Sequence, residues 1–352
     1  MAVSGTGTVS DPYIPETFGD FLSVCSQENT YVCLQNDIDV SKDNVYKTGL
    51  TSPLNIRATI YGTAMTYNSA TTYNTGDKCT WNDGEHGLCT YTCKVDGTVG
   101  IDVSDSTYWT RGGNPIKKIT GLIITAGNFI NYYHYQYTTM SNIFFESCAF
   151  FATEVSQYAF IGTTSSNHII TFNDCIFSVF YNQFVGTDPS CITRYGTYFN
   201  RCSLYFRFNG PDLSNVSTSE YRRVFSGSTY MNNCTIDIEN ISILGVQLAS
   251  SAIQFGYMNS CSFKMSANLY SGTTGRGAVQ FYGNNCFFAF TALNTEAGLT
   301  YTFYPYNPIG VNIIDYEVVG NATITPHSNL VQGTTAQCKD KDWLISKGFF
   351  AS

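Results

Sequence analysis

The sequence predicts an all-β chain wound as a right-handed parallel β-helix, with a small inserted β module and short helical caps. Three observations carry this reading: cysteines that recur at a near-constant interval, the same apolar alternation around each of them, and a surface-forming composition poor in charge. Cys148, Cys175, Cys202, Cys234, Cys261 and Cys286 are spaced by 27, 27, 32, 27 and 25 residues. Three residues before them stand Phe145, Phe172, Phe199, Met231 and Met258, a column that only Gly283 breaks. Two residues before come Glu146, Asn173, Asn200, Asn232, Asn259 and Asn284. Two and four residues after, every position is apolar, from Phe150 and Ala152 to Phe288 and Phe290. The consensus is aromatic-Asn-x-Cys-x-Φ-x-Φ, where Φ is apolar.

Alternation with period two specifies a strand whose Cys and Φ columns face one side. A strand returning at a fixed place in a repeat near 27 residues marks a solenoid rather than a sandwich. Stacking successive turns about 4.8 Å apart puts each cysteine over the next. A thiol is small, apolar and polarizable, so a buried thiol ladder is the expected role. In-register parallel side chains suit a disulfide poorly, and no histidine accompanies the column to bind a metal. The Asn column is expected at the corner where the strand begins, with amides bonded to one another and Asn supplying left-handed backbone. Outward positions agree with this register: Asp237 and Lys264 share one column on adjacent turns, and Arg207 and Glu239 share another. Both pairs are expected to form weak surface salt bridges.

The chain has 352 residues, only 12% of them charged and 15% aromatic, with Ser, Thr, Asn and Tyr left to carry the polar surface. Its net charge is −8 with no Lys/Arg cluster, which repels a phosphate backbone and excludes nucleic acid as a partner. No apolar stretch approaches the ~20 residues of a membrane span, so no membrane insertion is expected. Met1-Ala2-Val3-Ser4-Gly5 offers neither a basic nor an apolar leader region, so no signal peptide is expected. Thirteen cysteines in so long a chain do not indicate a disulfide scaffold, and an odd count leaves one thiol unpaired in a monomer.

Four segments follow in order: 1–65, an N-terminal cap and the first coils; 66–111, an inserted module; 112–327, the β-helix; and 328–352, a C-terminal cap or tail. In the first, Pro15 to Val24 is expected to form a capping helix over an otherwise open solenoid end. Gly5-Thr6-Gly7-Thr8, Asp11-Pro12-Tyr13 and the later Asn36-Asp37-Ile38-Asp39 resemble the entry segment of β-helices in bacteriophage virion and bacterial surface proteins. In the last, Thr335 is expected to N-cap a short helix that Gly348 ends. Thr335-Ala336-Gln337 with Lys339-Asp340, Leu344, Ser346 and Gly348-Phe349 resembles the endings of phage tail-fibre and other virion β-helix proteins. That resemblance implies a pectate-lyase-like solenoid on a virion surface, made in the host cytoplasm, commonly a homotrimer in contact with other virion proteins.

The inserted segment is rich in Thr, Asp, Gly and Tyr. Tyr73-Asn74, Gly76-Asp77, Trp81, Tyr91, Cys93 and Tyr108-Trp109 resemble a chitin-binding-type carbohydrate-binding module. Gly76-Asp77 is also a hairpin signal in its own right. The resemblance implies a three-stranded sheet presenting Tyr73, Trp81, Tyr91 and Trp109 to sugar rings. Lys94-Val95-Asp96 stand where that family often has paired tryptophans, so Trp81 and Trp109 are equally suited to form the module's core. Cys79, Cys89 and Cys93 offer one disulfide in an oxidising environment.

No nucleophile elbow, phosphate loop or His/Cys metal constellation appears, and no cofactor is implied. His86, His134, His168 and His327 are scattered and read as surface or turn residues. Glycoside hydrolysis needs paired carboxyl groups on one face. Glu146 and Asp174 lie on neighbouring turns, while Asp237 and Glu239 are expected to be neutralised by Lys264 and Arg207. No catalytic residue is assigned. Two aromatic runs, Phe129 with Tyr132, Tyr133, Tyr135 and Tyr137, and Tyr301 with Phe303, Tyr304 and Tyr306, either present exposed rings to sugars or proteins or divide between core and a subunit interface. The expected function is structural: a fibre, spike or decoration protein of a bacteriophage that contacts host surface polysaccharide. A polysaccharide depolymerase is the enzymatic alternative, and a bacterial adhesin the third.

Overall fold

The computed structural model describes residues 3–82, 88–132, 138–152, 159–162, 168–182, 192–193, 196–209, 224–225, 229–245, 253–271, 276–295, 300–305, 312–318, 323–326, 330–334, 336–337 and 340–347. The chain is all-β in character, and its long sheets are parallel throughout. One sheet of ten strands runs from Tyr31–Leu34 to Thr323–Pro326, and a second of eleven from Ile38–Asp39 to Leu330–Gln332. From Thr138–Ser141 onward the chain alternates between them, adding one strand to each sheet before advancing one place. A third, short parallel sheet joins Leu54–Asn55, Asn128–Asn131 and Ala159–Gly162.

The passage from the first long sheet into the second is a single left-handed residue. Asn142, Asp174, Arg201, Asn233, Ser260 and Asn285 all have φ between 50° and 58°. Left-handed backbone costs a non-glycine residue roughly 1–2 kcal/mol, and short polar side chains bear it best. The asparagine ladder therefore lies one residue earlier than the corner: Asn173, Asn200 and Asn232 end the first-sheet strands in extended conformation. Their amides do bond upward as expected. Asn200 Nδ2 donates to Asn173 Oδ1 at 2.9 Å, and Asn232 Nδ2 donates to Asn200 Oδ1 at 3.0 Å.

Cys175, Cys202, Cys234, Cys261 and Cys286 follow these corners. Backbone bonds of 2.9–3.0 Å from Ser203, Thr235, Ser262 and Phe287 to the preceding cysteine carbonyls hold them in one column. The thiols of Cys175, Cys202, Cys234 and Cys261 each donate, at 3.4 Å, to the carbonyl oxygens of Met140, Phe172, Phe199 and Met231 respectively. Cys148 does not belong to this ladder. It faces Val179, and Ile143 takes its place beneath Cys175, because Phe144 pairs with Ile176. The cause is a second left-handed residue, Ser147 (φ 51°), which bends Ile143–Ala152 to match the corner at Gly121 (φ 71°) on the strands below. The true repeat thus runs from Ile143, and the 27-residue step from Cys148 is a coincidence of spacing.

The eleven described cysteines are buried, and no disulfide joins them to one another. Around them the core stacks like on like. Phe145 and Phe177 lie 5.2 Å apart with an interplanar angle of 11°, and Phe172 and Phe199 5.2 Å apart at 15°.

The N-terminal end is closed by helix α1, Phe18–Cys25, which buries Phe18, Phe21, Val24 and Cys25. Thr17 and Asp20 form a reciprocal capping box that fixes its start. Near the other end, α2 spans Lys341–Ser346, with Asp340 accepting from the Asp342 and Trp343 amides. Asp340, not Thr335, is its N-cap: a carboxylate at a helix N-terminus also opposes the helix dipole. No residue of α2 is buried; Thr335 and Gly348 lie outside the described residues. Between the ends, Lys78–Asn82, Leu88–Cys93 and Trp109–Arg111 form a three-stranded antiparallel sheet with its own small core. Asn142 fastens it to the long sheets by donating from Nδ2 to Thr80 Oγ1 at 3.2 Å and to the Ala64 carbonyl at 3.4 Å.

Candidate functional site

The antiparallel module does bring its aromatic residues together, but it turns them inward. Tyr73, Tyr91 and Trp109 are buried, and Val103, Cys79 and Cys93 complete their core. Tyr67 stacks on Tyr73 at 5.7 Å, and Trp109 meets Tyr73 edge-on at 5.1 Å. The Tyr73 hydroxyl accepts the Asn68 amide, and the Trp109 indole donates to the Ile101 carbonyl. A ring that stacks on a sugar needs a bare face, which Tyr73, Tyr91 and Trp109 lack. Trp81 alone of the four keeps an exposed side, at 38%. No disulfide joins Cys79, Cys89 and Cys93 to one another: Cys79 faces Tyr91, Cys89 faces Trp81 and Cys93 faces Trp109 across the sheet.

A more developed depression lies on the outer face of the second long sheet. It has a volume of about 530 Å³ and crosses the strands Ile143–Ala152, Ile176–Asn182, Ser203–Asn209 and Thr235–Gly245. Strand alternation builds it. Inward positions Val179, Leu204, Phe206 and Ile236 fill the core, which forces Ser178, Phe180, Tyr205, Arg207, Asp237 and Glu239 outward. Small residues at Ser147, Ala149 and Ser178 leave the floor low at one end. Phe180 and Tyr205 rise beside it, 38% and 42% exposed. Arg207, Asp237 and Glu239 close the other end.

The charges there are arranged unequally. Lys264 Nζ lies 3.2 Å from Asp237 Oδ2, as the sequence register anticipates. Asp237 Oδ1 is buried and has no hydrogen-bond partner among the described residues. Arg207 and Glu239 are register partners, yet the expected bridge between them does not form: among the described residues neither side chain has an ion pair. The cleft therefore offers, among the described residues, one guanidinium and one carboxylate without an ion pair.

The other carboxylates singled out by sequence are engaged elsewhere. Glu146 accepts from Lys118 Nζ at 2.7 Å and from Thr120, and the Lys118 contact holds its carboxyl below the usual range. Asp174 is gripped by Arg201 through two bonds of 2.8 and 2.6 Å. Asp174 is itself a left-handed corner residue, whereas Glu146 precedes the separate corner at Ser147.

No protein-family model, curated protein or solved structure matches the chain.

Among the described residues no three His, Cys, Asp or Glu side chains are grouped to hold a metal ion, and no helix is long and apolar enough to cross a membrane. His168 is buried rather than superficial, while His86, His134 and His327 lie outside the described residues. Phe129 and Tyr132 are core residues; Tyr133, Tyr135, Tyr137 and Tyr306 lie outside the described residues, as do the side chains of Tyr301, Phe303 and Tyr304. Phe180, Tyr205 and Arg207 escaped sequence reasoning as a group. Their signal was an aromatic residue at outward positions that a soluble strand ordinarily fills with small polar side chains.

Proposed function

We propose that the chain is a right-handed parallel β-helix serving as an attachment protein on the surface of a bacteriophage particle, and that it holds host polysaccharide in the cleft of the second long sheet. The wound form is supported by the strict alternation of strands between two parallel sheets. The hand is supported by the near-universal right-handedness of parallel crossovers. The virion setting is supported by the sequence motifs at both ends. The cleft is the observation that carries the glycan reading. Two half-exposed rings offer apolar faces to pyranose C–H groups, while Arg207 and Glu239 supply the donor and acceptor that hydroxyl groups need.

The test is an array of bacterial capsule and O-antigen polysaccharides probed with the full chain. Tyr205→Ala and Phe180→Ala should each weaken binding at least tenfold, and Trp81→Ala should leave it within twofold. Binding that survives both cleft substitutions, or that depends on Trp81 instead, would overturn the assignment. Immunogold labelling of purified virions tests the location separately.

One observation favours a second reading, cleavage of the bound glycan. Asp237 and Glu239 stand two residues apart on one strand, about 6.6 Å between Cα atoms. Inverting hydrolysis uses carboxyl groups roughly 6.5–9.5 Å apart. Release of reducing ends that Glu239→Gln abolishes would establish it; tight binding without turnover would leave attachment as the function.

A further inference from the structure

The cleft of the second long sheet is built from two outward columns that end differently. Ala149, Phe180, Arg207 and Glu239 are successive register partners in one, and Ser178, Tyr205, Asp237 and Lys264 in the other. Each column steps from a small residue to a ring and then to two charges. In the second column the charges meet, with Lys264 Nζ 3.2 Å from Asp237 Oδ2. In the first they do not: Arg207 has no hydrogen bond or ion pair among the described residues. Its register partner Glu239 stands at a bulge. Pairing with the next strand shifts between Ile238 and Ile241, Asn240 is left-handed at φ 59°, and its amide donates to Ser266 Oγ at 3.0 Å. A bulge re-aims the side chains beside it, which accounts for the bridge that is not made.

We propose that Arg207 is an anion subsite of this cleft, and that the glycan held there contains hexuronic acid. The sugar ring lies on Phe180 and Tyr205, and its carboxylate is held by the guanidinium. The inference rests on the glycan-binding reading of the cleft and names the class of sugar. A guanidinium presents five N–H donors in a planar fork that grips a carboxylate through two parallel bonds. Arg207 sits one strand, about 4.8 Å, from Phe180 and two residues from Tyr205 on the same face. A hexuronate bears its carboxyl carbon directly on the ring, so a ring seated on the aromatic pair brings its charge to Arg207 without a flexible link. Asp237, the carboxylate beside Tyr205, is already held by Lys264, and Glu239 lies on the far side of Arg207 from Phe180. Neither stands between the guanidinium and the Phe180 ring. The net charge of −8 opposes an acidic polymer only at long range, because charges more than about 8 Å apart are largely screened at physiological ionic strength.

The experiment probes four sets of polymers with the full chain: capsular polysaccharides containing glucuronate or galacturonate, the same polymers after carboxyl reduction, neutral capsular polysaccharides, and dextran sulfate. Uronate polymers should bind best, and carboxyl reduction should weaken binding at least tenfold. Arg207→Gln should weaken binding of the native polymer as much and leave the reduced polymer within twofold, so that the two forms become equal. Arg207→Lys, which keeps the charge and loses the fork, should fall between. Arg207 is exposed, and circular dichroism checks that both variants fold. Preference for neutral polymers, binding indifferent to carboxyl reduction or to Arg207→Gln, or dextran sulfate bound as tightly as uronate polymers would overturn the hexuronate assignment. If Tyr205→Ala still weakened the binding seen in those cases, the attachment reading would stand without it. Binding to none of the polymers, or binding untouched by both Tyr205→Ala and Phe180→Ala, would overturn the two together.

Discussion

Aromatic side chains behave differently in the two architectures of this chain. In the long parallel sheets they stack flat on their own kind at one-strand intervals, as Tyr198, Tyr230 and Tyr257 do outside and Phe172 and Phe199 do inside. In the antiparallel module most meet edge-on around a compact centre, as Tyr67 and Tyr73 do with Trp109, and only Tyr67 and Tyr73 stack among the described residues. The difference follows from backbone geometry. Parallel in-register strands repeat every side-chain position about 4.8 Å further along, close to the stacking distance of two rings. A small module has no such repeat and must fill one centre from every direction. A residue's neighbours are thus set by register in one region and by local closure in the other.

The largest test of this contrast compares two core deletions. Phe177 is fully buried between Phe145 and Phe172, and Phe177→Ala should cost about 3–5 kcal/mol and lower the main unfolding transition. Trp109→Ala removes the centre of a separate core and should abolish the module's near-ultraviolet signal while leaving that main transition in place. A Trp109 variant that lowers the main transition as far as Phe177→Ala would erase the distinction.

The next effect is alkaline. Burial pushes the Cys25 and Cys148 thiols up to about 12 from 9.0. The native chain then keeps protons that the unfolded chain releases. Stability from these thiols is therefore whole below pH 9 and is lost as pH rises toward 12. Each contributes a loss of roughly 1.4 kcal/mol per pH unit in that window. Denaturant titrations at pH 8, 9.5 and 10.5 should show it, and a flat profile would contradict burial of these groups.

The repeat was readable because its residues need only each other. Cys-x-Φ-x-Φ specifies an inward face wherever it occurs, and Asp237 with Lys264 followed from counting turns. The same counting misassigned Cys148, because an extra left-handed corner at Ser147 leaves no trace in residue type: serine is an ordinary strand neighbour. The asparagine column was placed one residue late for a related reason, since the corner tolerates Asp174, Arg201 and Ser260 as well as Asn. The cleft was half legible. Its carboxylates were noticed, but Phe180 and Tyr205 become neighbours only through stacking of distant segments. The module's inward turn was legible only as one of two alternatives, because tyrosine and tryptophan serve a sugar surface and a small core alike.

Arg201 offers a smaller test of the corner. Arg201→Ala strands the Asp174 carboxylate, whose side chain is 6% exposed, and should cost about 2 kcal/mol, allowing for a half-exposed guanidinium. Arg201→Gly loses the same pair but accepts φ 54° without strain, so it should be about 1 kcal/mol less harmful. The smallest effect is Lys264→Ala, which removes an exposed surface pair and should change stability by no more than about 0.5 kcal/mol. A larger loss would show that Asp237 is held more tightly than an exposed bridge allows.

The stacking of repeats is measured most directly by electron–electron distances along one register column. Thr139, Thr171, Tyr198, Tyr230, Tyr257 and Tyr282 are successive register partners. Spin labels attached through a non-thiol chemistry at Thr139 and, in turn, Tyr230, Tyr257 and Tyr282 should report separations growing by about 4.8 Å per strand, near 14, 19 and 24 Å. Distances that fail to grow in even steps, or that shorten between Tyr230 and Tyr282, would contradict the stack.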